Sequence, residues 1–377
     1  MKAMHIGFDA KRIVRNVSGL GNYGRTLVND LDGIVGDDTT LCLYAPDQGN
    51  EQLRSQIHTS RHIRFVYPKH TRIKAFWRSR GIISDLRRDH IDIFHGLSGE
   101  LPIGIRSAGI KSVVTIHDLI FMRHPEYYHW WDAKIYAAKF HWTTREADRI
   151  IATSECTKRD IVELGGVNHD MIEVVYQSCD TRFRSLVSED KKEEVKTRYQ
   201  LPLRYIVSVG TIEERKNILL AVKALQRMPE DFSLVIVGRP TPYTEKVKKY
   251  VSENRLNHRV LFLHQVPSSD LPALYQMAEA CAYPSRYEGF GIPIIEAIQS
   301  GVPVVACTGS CLEEAGGPDN LYVQPDDVEG MAACLRQVVK GTAGREERVA
   351  RSQRYIKRFE GKDVASQVMD IYLRTLG

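Results

Sequence analysis

Two glutamates separated by seven residues flank a glycine-bearing turn in the second half of the chain. Glu288 directly precedes the turn at 289–291, and Glu296 follows it. The run at 280–284 is short and apolar, which predicts a strand entering the turn. Pro293 suits the first position of a helix, because that position needs no N–H donor. Glu296 is therefore expected in the first helical turn.

This arrangement would serve a ligand that carries both phosphate and hydroxyl groups. Glycines let the backbone approach a ligand closely, and their N–H groups together with a helix N-terminus favour an anion. The carboxylates of Glu288 and Glu296 can accept hydrogen bonds from hydroxyls. A sugar nucleotide has both kinds of group. The alternative is that Glu296 complements the helix dipole and Glu288 is merely solvated.

A second cluster, at 210–217, follows the predicted strand 205–209. It begins with Gly210 and Thr211 and contains Arg215 and Lys216 immediately before a helical pattern. Two cations at a strand's carboxyl end can clamp a diphosphate, and they stabilise it more as negative charge develops on a leaving group. The alternative is a solvated run of charged residues.

The two clusters together resemble the motifs of the retaining glycosyltransferase family 4. The segment 288–296 is similar to its E-x7-E signature, and 210–217 resembles the G-T-x-E-x-R-K-N turn of mannosyltransferase-like members. Other members carry arginine at the position of Thr211. In that family the first glutamate binds hexose hydroxyls near the reacting face and the second binds ribose. The donor-binding positions that the resemblance implies are Gly19, Gly21, Gly210, Thr211, Gly289, Phe290, Gly291 and Glu296.

The glycines near the N-terminus formally match a G-x-G-x-x-G pattern. A dinucleotide site needs that pattern directly after a strand, whereas about ten residues separate Asp9 from Gly19. A dehydrogenase is therefore disfavoured. The segment 18–21 instead resembles the family's S-G-[IL]-G loop, which caps the donor diphosphate. A plain helix start is compatible with that role.

His117 ends a predicted strand, and the resemblance implies that it contacts the donor sugar. With Glu288, Arg215 and Lys216 it completes the predicted catalytic set. Asp118 and His95 are acceptor candidates at neighbouring strand ends. Lone histidines are often structural, and that alternative stays open.

Composition describes a globular protein. Of the 377 residues 43% are hydrophobic, and the net charge of +5 permits anionic ligands without requiring nucleic acid, so no nucleic-acid partner is expected. Seven scattered cysteines favour neither a disulfide framework nor a zinc site. The N-terminus reads as a strand rather than a signal peptide, and no apolar run could span a bilayer. We expect a cytoplasmic protein without metal or cofactor; the D-x-D spacing at 30–32 falls on a helix end and is discounted.

Two stretches mix basic and aromatic residues, at 69–80 and 127–142. Such mixtures suit an anionic membrane surface or a lipid-linked acceptor. Ordinary packing of aromatic residues at helical spacing is the alternative. A peripheral position on the inner face of the membrane therefore stays open.

Thirteen short apolar runs, from Met4–Asp9 to Leu321–Val323, alternate with helical patterns. Continuous Ile/Val-rich runs indicate parallel strands buried on both faces. A polar linker at about 178–200 separates an acceptor-side domain (1–185) from a nucleotide-sugar domain (186–377), and the last helix, 361–376, could cross back. The expected fold is α/β of the GT-B type, with two doubly wound Rossmann-like domains facing a cleft.

The expected activity is retaining transfer of a hexose, with mannose from GDP-mannose favoured, from a nucleotide diphosphate sugar to a hydroxyl of a glycan or lipid-linked acceptor in surface polysaccharide synthesis. Two alternatives stay open. A GT-B-fold sugar-nucleotide epimerase would turn over donor alone. A non-enzymatic basic protein that binds anions or membranes would show strongly salt-dependent binding.

Overall fold

The computed structural model describes residues 4–17, 19–69 and 74–377, which form two compact units. The first unit runs to Ser178 and also includes Phe359–Gly377, and the second is Cys179–Arg358. Each unit contains one sheet whose paired strands are all parallel.

The sheet of the first unit has seven strands. They are β1 (Met4–Asp9), β2 (Thr39–Tyr44), β3 (Ile63–Val66), β4 (Ile93–Gly96), β5 (Lys111–Ile116), β6 (Arg149–Ala152) and β7 (Ile172–Val174). Their spatial order is β3-β2-β1-β4-β5-β6-β7. Successive strands are thus added in one direction up to β3 and in the other from β4, so the order reverses between β1 and β4.

Helices cover both faces of this sheet, whose strands are mostly apolar and buried. They are α1 (Lys11–Arg15), α2 (Gly19–Asp32), α3 (Glu51–Arg54), α4 (Lys74–Phe76), α5 (Ile82–Arg88), α6 (Ile120–Arg123), α7 (Trp130–Glu146) and α8 (Glu155–Gly165). A π-helical turn, Trp77–Gly81, leads into α5, and short 3-10 turns lie at Arg106–Ala108, Pro125–Tyr127 and His169–Met171. Two buried clusters, one on each side, form the core.

The sheet of the second unit has six strands. They are β8 (Tyr205–Val209), β9 (Ser233–Val237), β10 (Val260–Leu263), β11 (Ala280–Tyr283), β12 (Val304–Cys307) and β13 (Leu321–Val323). Their order is β10-β9-β8-β11-β12-β13, which reverses between β8 and β11.

The helices of the second unit follow the same strand–helix alternation. They are α9 (Glu189–Tyr199), α10 (Ile218–Leu225), α11 (Pro242–Glu253), α12 (Leu271–Met277), α13 (Ile292–Gln299), α14 (Leu312–Gly316), α15 (Val328–Val338) and α16 (Arg345–Tyr355), with 3-10 turns at Thr181–Phe183 and Glu214–Lys216. After a last 3-10 turn, Ile356–Phe359, helix α17 (Gly361–Leu376) packs against α2 of the first unit.

The prediction of parallel, doubly wound sheets is confirmed, and every predicted strand is present within two residues of its expected bounds. The segment 178–200, however, is not a linker. Most of it is helix α9, whose Val195 is fully buried, and the compact units divide between Ser178 and Cys179. A charge-dense segment can still be a packed helix. In α9, Lys191, Arg198 and Tyr199 also contact the buried carboxylate of Asp270.

Candidate active site

The best-defined charged cluster lies where the strand order of the second sheet reverses. The carboxyl ends of β8 and β11 are neighbours there, since these two strands pair in parallel. The turns that follow them are 210–217 and 284–291. A reversal point at the carboxyl edge of a parallel sheet leaves a crevice in which α/β proteins place ligands.

The two turns have the backbone geometry that glycine permits. Gly210 has φ +150° and Gly291 has φ +129°, both in the region that side-chain-bearing residues avoid. A Cβ on Gly210 would lie 3.7 Å from the Lys216 side chain, and one on Gly291 would lie 3.2 Å from Leu312. Asn217, also at positive φ, ends the 3-10 turn and starts α10.

Glu288 is held between two cations that lie more than 70 residues before it in the chain. Its Oε2 is 2.7 Å from Arg215 Nη1, and its Oε1 is 2.6 Å from Lys216 Nζ. The Glu288 side chain is only 10% exposed. The structure therefore joins three of the four residues predicted to be catalytic.

Further hydrogen bonds fix the geometry of this triad. Arg215 Nη1 donates to the Tyr287 carbonyl at 2.6 Å, and Nη2 donates to Glu213 at 2.7 Å. Lys216 Nζ donates to the Tyr283 hydroxyl at 2.8 Å, and that hydroxyl lies 3.3 Å from Glu288 Oε1. With this many partners the side chains are pre-organised, which lowers the cost of arranging charge around a ligand.

The electrostatics of the triad favour full ionisation. Burial alone would raise the pKa of Glu288, but the charges of Lys216 and Arg215 outweigh it and lower that pKa to about 2. Burial opposes the charge of Lys216, yet Glu288 and Tyr283 raise the pKa of Lys216. Burial likewise opposes the charge of Arg215, and Glu288 raises its pKa above the usual value. Glu288 is therefore a carboxylate at neutral pH.

The triad borders a small cavity. Its lining residues are Ser208, Val209, Gly210, Thr211, Ile212, Lys216, Ile218, Ile236, Tyr283, Pro284 and Ser285. Gly210 and Thr211, predicted to bind the donor, thus lie beside Lys216. The Lys216 ammonium group at this wall is suited to phosphate oxygens. The Gly210 and Ile212 amides already donate to the Val237 and Arg239 carbonyls, at 2.9 and 3.0 Å.

A buried cysteine hydrogen-bonds to the turn that carries Glu288. Cys311 is fully buried, and its Sγ donates to the carbonyls of Phe290 at 2.7 Å and of Glu288 at 3.1 Å. Phe290 itself is buried, so its side chain anchors the turn in the core. The predicted donor-binding positions Gly289, Phe290 and Gly291 therefore form a fixed strand-to-helix turn.

Glu296 is the fifth residue of α13, so it lies beyond the first helical turn, where the sequence had placed it, because the helix already begins at Ile292. Its environment differs from that of Glu288. Its Oε2 accepts a hydrogen bond from the Tyr275 hydroxyl at 3.0 Å. Burial raises the pKa of Glu296 to about 7, and the nearby carboxylate of Asp180 adds to the rise. The structure records no direct contact between Glu288 and Glu296 in the described part of the chain, so they are separate features of the same strand–turn–helix unit.

His117 is held as a neutral imidazole at the end of β5 in the first unit. Its Nε2 donates to the Leu97 carbonyl at 2.8 Å, and its Nδ1 faces the Gln177 amide nitrogen at 3.2 Å. Burial lowers the pKa of His117 to about 4. The ring of Tyr23, from α2, packs edge-on against it with centroids 4.7 Å apart.

His95 is a core residue rather than an acceptor contact. It is fully buried, and its two ring nitrogens hydrogen-bond with the hydroxyls of Tyr372 and Thr115 at 2.6 and 2.8 Å. Burial lowers its pKa to about 3. With both nitrogens engaged inside the core, His95 has no atom to offer an acceptor. Asp118 accepts a hydrogen bond from the backbone of Ile120, next to α6.

The predicted glycine loop near the N-terminus is a helix. Gly19 is the first residue of α2, and Ser18 lies outside the described residues. Gly21 is needed for packing, because a Cβ there would lie 1.9 Å from the Asn16 carbonyl oxygen. A Cβ on Gly19 would meet nothing within 4 Å. The two predicted donor-binding glycines therefore have different structural roles.

Sequence reasoning missed several polar residues of the cluster. Tyr283 and Ser285 flank the carboxyl end of β11, and Tyr275 reaches Glu296 from α12. The position of Tyr283 as the last residue of a buried strand was a usable signal, because strand ends point into the crevice. Tyr275 gave no such signal, since a buried tyrosine in a helix usually indicates packing.

Two family models match the chain over most of its length. The model described as Glycosyltransferase Family 4 matches residues 17–183, and the one described as Glycosyl transferases group 1 matches residues 189–358. Each model thus covers most of one of the two sheets.

Individual proteins are also similar to this chain over two thirds or more of its length. The chain is 27% identical to O-antigen chain mannosyltransferase B of Escherichia coli, over 98% of this chain and 99% of that protein. It is 27% identical to O-antigen chain mannosyltransferase RfbU of Salmonella typhimurium, over 68% of each. The solved structure of HepE from Anabaena, in complex with UDP and glucose, is similar with a TM-score of 0.77 and 16% identity, over 98% of this chain and 100% of that one. The GT-B fold is confirmed.

Proposed function

Since this chain belongs to glycosyltransferase family 4, we propose that it is a retaining mannosyltransferase of surface polysaccharide synthesis. It would move mannose from GDP-mannose to a hydroxyl of a glycan or lipid-linked acceptor. The preference for mannose rests on the 210–217 turn and on the names of the two O-antigen relatives.

The observation that carries the proposal is the buried Glu288 held between Arg215 and Lys216. In this proposal the two cations contact the donor diphosphate. Breaking the glycosidic bond adds negative charge to that diphosphate, so fixed cations lower the barrier. The Glu288 carboxylate accepts hydrogen bonds from sugar hydroxyls.

Glu288 is not assigned as the base. A carboxylate with a pKa of about 2 holds a proton poorly at neutral pH, and its oxygens are tied to two cations. In our proposal the leaving phosphate takes the proton of the acceptor hydroxyl, which then attacks from the face that the phosphate leaves. That geometry gives retention. Arg215 and Lys216 supply the charge compensation that a metal could otherwise provide, so we propose a metal-independent reaction.

The test is transfer of labelled sugar from GDP-mannose, UDP-glucose and UDP-N-acetylglucosamine to a glycan acceptor. We expect GDP-mannose to be the preferred donor and the anomeric signals of the product to show retention. Glu288→Gln and Lys216→Met should each lower kcat/KM by ~100-fold or more, the scale of a lost transition-state contact. Glu329→Gln is the control, because Glu329 forms an exposed ion pair with Arg227 in the same unit.

Three results would contradict the proposal. Full activity in both variants would remove the assignment of the site. Conversion of donor without any acceptor would indicate an epimerase. Inversion at the anomeric carbon would overturn the proposed proton route while leaving sugar transfer in place.

We also propose that the protein is cytoplasmic and binds an anionic membrane surface through the start of α7. Trp130 and Trp131 are 56% and 69% exposed, and Lys134 Nζ lies 3.9 Å from the Trp130 ring centroid. Exposed tryptophans next to lysine suit a lipid headgroup region. No helix in the described part of the chain is long and apolar enough to cross a bilayer. Arg72, in the other basic stretch, lies outside the described residues.

Sedimentation with vesicles tests this membrane contact. Binding to vesicles with anionic lipid should exceed binding to neutral ones and fall as salt is raised. The double substitution of Trp130 and Trp131 by serine should abolish it without changing transfer to a soluble acceptor. Equal binding by wild type and this variant would exclude the α7 contact.

A further inference from the structure

Both ring nitrogens and the carbonyl oxygen of His117 have hydrogen-bond partners within the first unit. Nε2 lies 2.8 Å from the Leu97 carbonyl oxygen, and Nδ1 lies 3.2 Å from the amide nitrogen of Gln177. The hydroxyls of Thr153 and Thr157 donate to the His117 carbonyl at 2.9 and 3.2 Å. These contacts fix the ring and the backbone of His117 together.

The contact with Leu97 determines which ring nitrogen carries the proton. A carbonyl oxygen can only accept a hydrogen bond, so Nε2 carries a hydrogen. Burial lowers the pKa of His117 to about 4, so the ring is neutral at pH 7. In a neutral imidazole the other nitrogen, Nδ1, is then an acceptor. The amide group of Gln177 can donate to it, and therefore complements this one tautomer.

The surroundings of the ring favour its neutral form. Gln177 lies three residues after β7 and is only 9% exposed, so its amide is held beside the ring. Tyr23 of α2 packs edge-on against the ring. The cation that acts on His117 is Arg12 of α1, which disfavours a second positive charge, and the neighbouring His95 is itself neutral at pH 7. An uncharged amide at position 177 holds Nδ1 without adding a proton to it.

We propose that Gln177 is a positioning residue of the transfer reaction, which holds His117 as the Nε2–H tautomer in one orientation. The inference rests on the proposed function and on the predicted contact between His117 and the donor sugar. A ring that is already fixed needs no further ordering when the sugar binds. Loss of Gln177 should therefore appear in the KM for the donor rather than in kcat.

Nitrogen NMR of isotope-labelled histidines tests the tautomer in the full chain without donor. The signals of His117 are those missing from His117→Asn. At pH 7 wild type should show a proton on Nε2 and none on Nδ1. Gln177→Met should shift the Nδ1 signal, because that nitrogen loses its donor. Gln177→Glu places a carboxylate beside Nδ1, so the pH at which the ring takes up its second proton should rise by about 1–3 pH units.

The transfer assay tests the positioning role. Gln177→Met should raise the KM for the donor about 3- to 10-fold, the scale of one hydrogen bond, with little change in kcat. In Gln177→Glu the KM for the donor should rise as the pH is lowered from 8 to 6, whereas wild type should show no such rise because His117 stays neutral over that range. Gln52→Met and Gln52→Glu are the matched controls, since Gln52 is exposed on α3 of the same unit. They should match wild type in both assays.

The two assays separate this inference from the proposed function. A proton on Nδ1 of wild-type His117, or an unchanged KM for the donor in Gln177→Met, would overturn the positioning role even when transfer is normal. If Gln177→Met does not fold, the wild-type tautomer and the pH dependence of Gln177→Glu decide. If wild type uses none of the donors but the NMR signals follow the expected pattern, the transfer proposal fails and the hold of Gln177 on His117 stands.

Discussion

Replacing Glu288 by glutamine removes the carboxylate charge that lies 2.7 Å from Arg215 Nη1 and 2.6 Å from Lys216 Nζ. The pKa of Glu288 is lowered from 4.5 to about 2. That difference corresponds to about 3 kcal/mol, since each pKa unit is worth about 1.4 kcal/mol. Because the folded-state pKa is the lower one, this stability is fully present above pH 4.5 and is lost as the pH falls towards 2. Glu288→Gln should therefore destabilise the second unit by about 3 kcal/mol at pH 7.

The chain itself supplies a way to measure this in one unit. All four tryptophans, Trp77, Trp130, Trp131 and Trp142, lie in the first unit. Tryptophan fluorescence therefore follows unfolding of the first unit, whereas far-UV circular dichroism follows both. In urea at pH 7, Glu288→Gln should shift the dichroism transition of the second unit and leave the fluorescence transition in place.

A double variant separates loss of the ion pair from general damage. Removing one partner of a buried pair leaves an uncompensated charge, whereas removing both costs much less. Glu288→Gln with Lys216→Met should therefore be less destabilised than the sum of the single variants by ~1–3 kcal/mol. Additive effects, or a Glu288→Gln shift no larger than that of the exposed control Glu329→Gln, would refute the electrostatic reasoning.

Three further predictions concern other residues of the two units. Burial raises the pKa of Glu296 to about 7, so its ionisation opposes folding as the pH rises from about 4.5 to 7. Between pH 5 and 8, the free energy of unfolding of Glu296→Gln should therefore rise by about 2 kcal/mol relative to that of wild type, as measured by far-UV circular dichroism. A difference that stays constant with pH would exclude the pKa shift. Cys311→Ala removes the thiol contacts to the Glu288 and Phe290 carbonyls and should raise the KM for the donor several-fold. Cys311→Ser keeps a hydrogen-bond donor, so its KM for the donor should be close to that of wild type. Equal KM values in the two variants would exclude a positioning role for Cys311. Gly21→Ala should lower the stability of the first unit by ~2 kcal/mol or more through its clash with Asn16, whereas Gly19→Ala should be neutral or slightly stabilising by tryptophan fluorescence, and equal effects would contradict the packing geometry.

Much of the fold could be predicted because strands buried on both faces leave a local mark. Runs such as Ala280–Tyr283 and Val304–Cys307 are apolar without alternation, which only a sheet covered on both faces requires. The strand–turn–helix around Glu288 could also be predicted, since glycine tolerates the positive φ of Gly291 and the ring of Pro293 suits the first turn of a helix.

Other predictions failed where two residues of the same type have different surroundings in the folded chain. His95 and His117 both follow the pattern of a histidine at a strand end, yet His95 is fully buried and His117 is not. The difference arises from Tyr372 of α17, which reaches His95 from 277 residues away. The charged helix α9 was read as a linker for a similar reason, because its single buried residue depends on what packs against it.

The sequence by itself determined which segments are strands, where the glycine turns fall, and that carboxylates and cations occur at strand ends. Only the tertiary structure decided which strand ends meet. Sheet order places β8 beside β11 and thereby joins Arg215 and Lys216 to Glu288. Strand order is set by the packing of whole helices across the sheet, an energy summed over distant side chains, so no local spacing of residues encodes it.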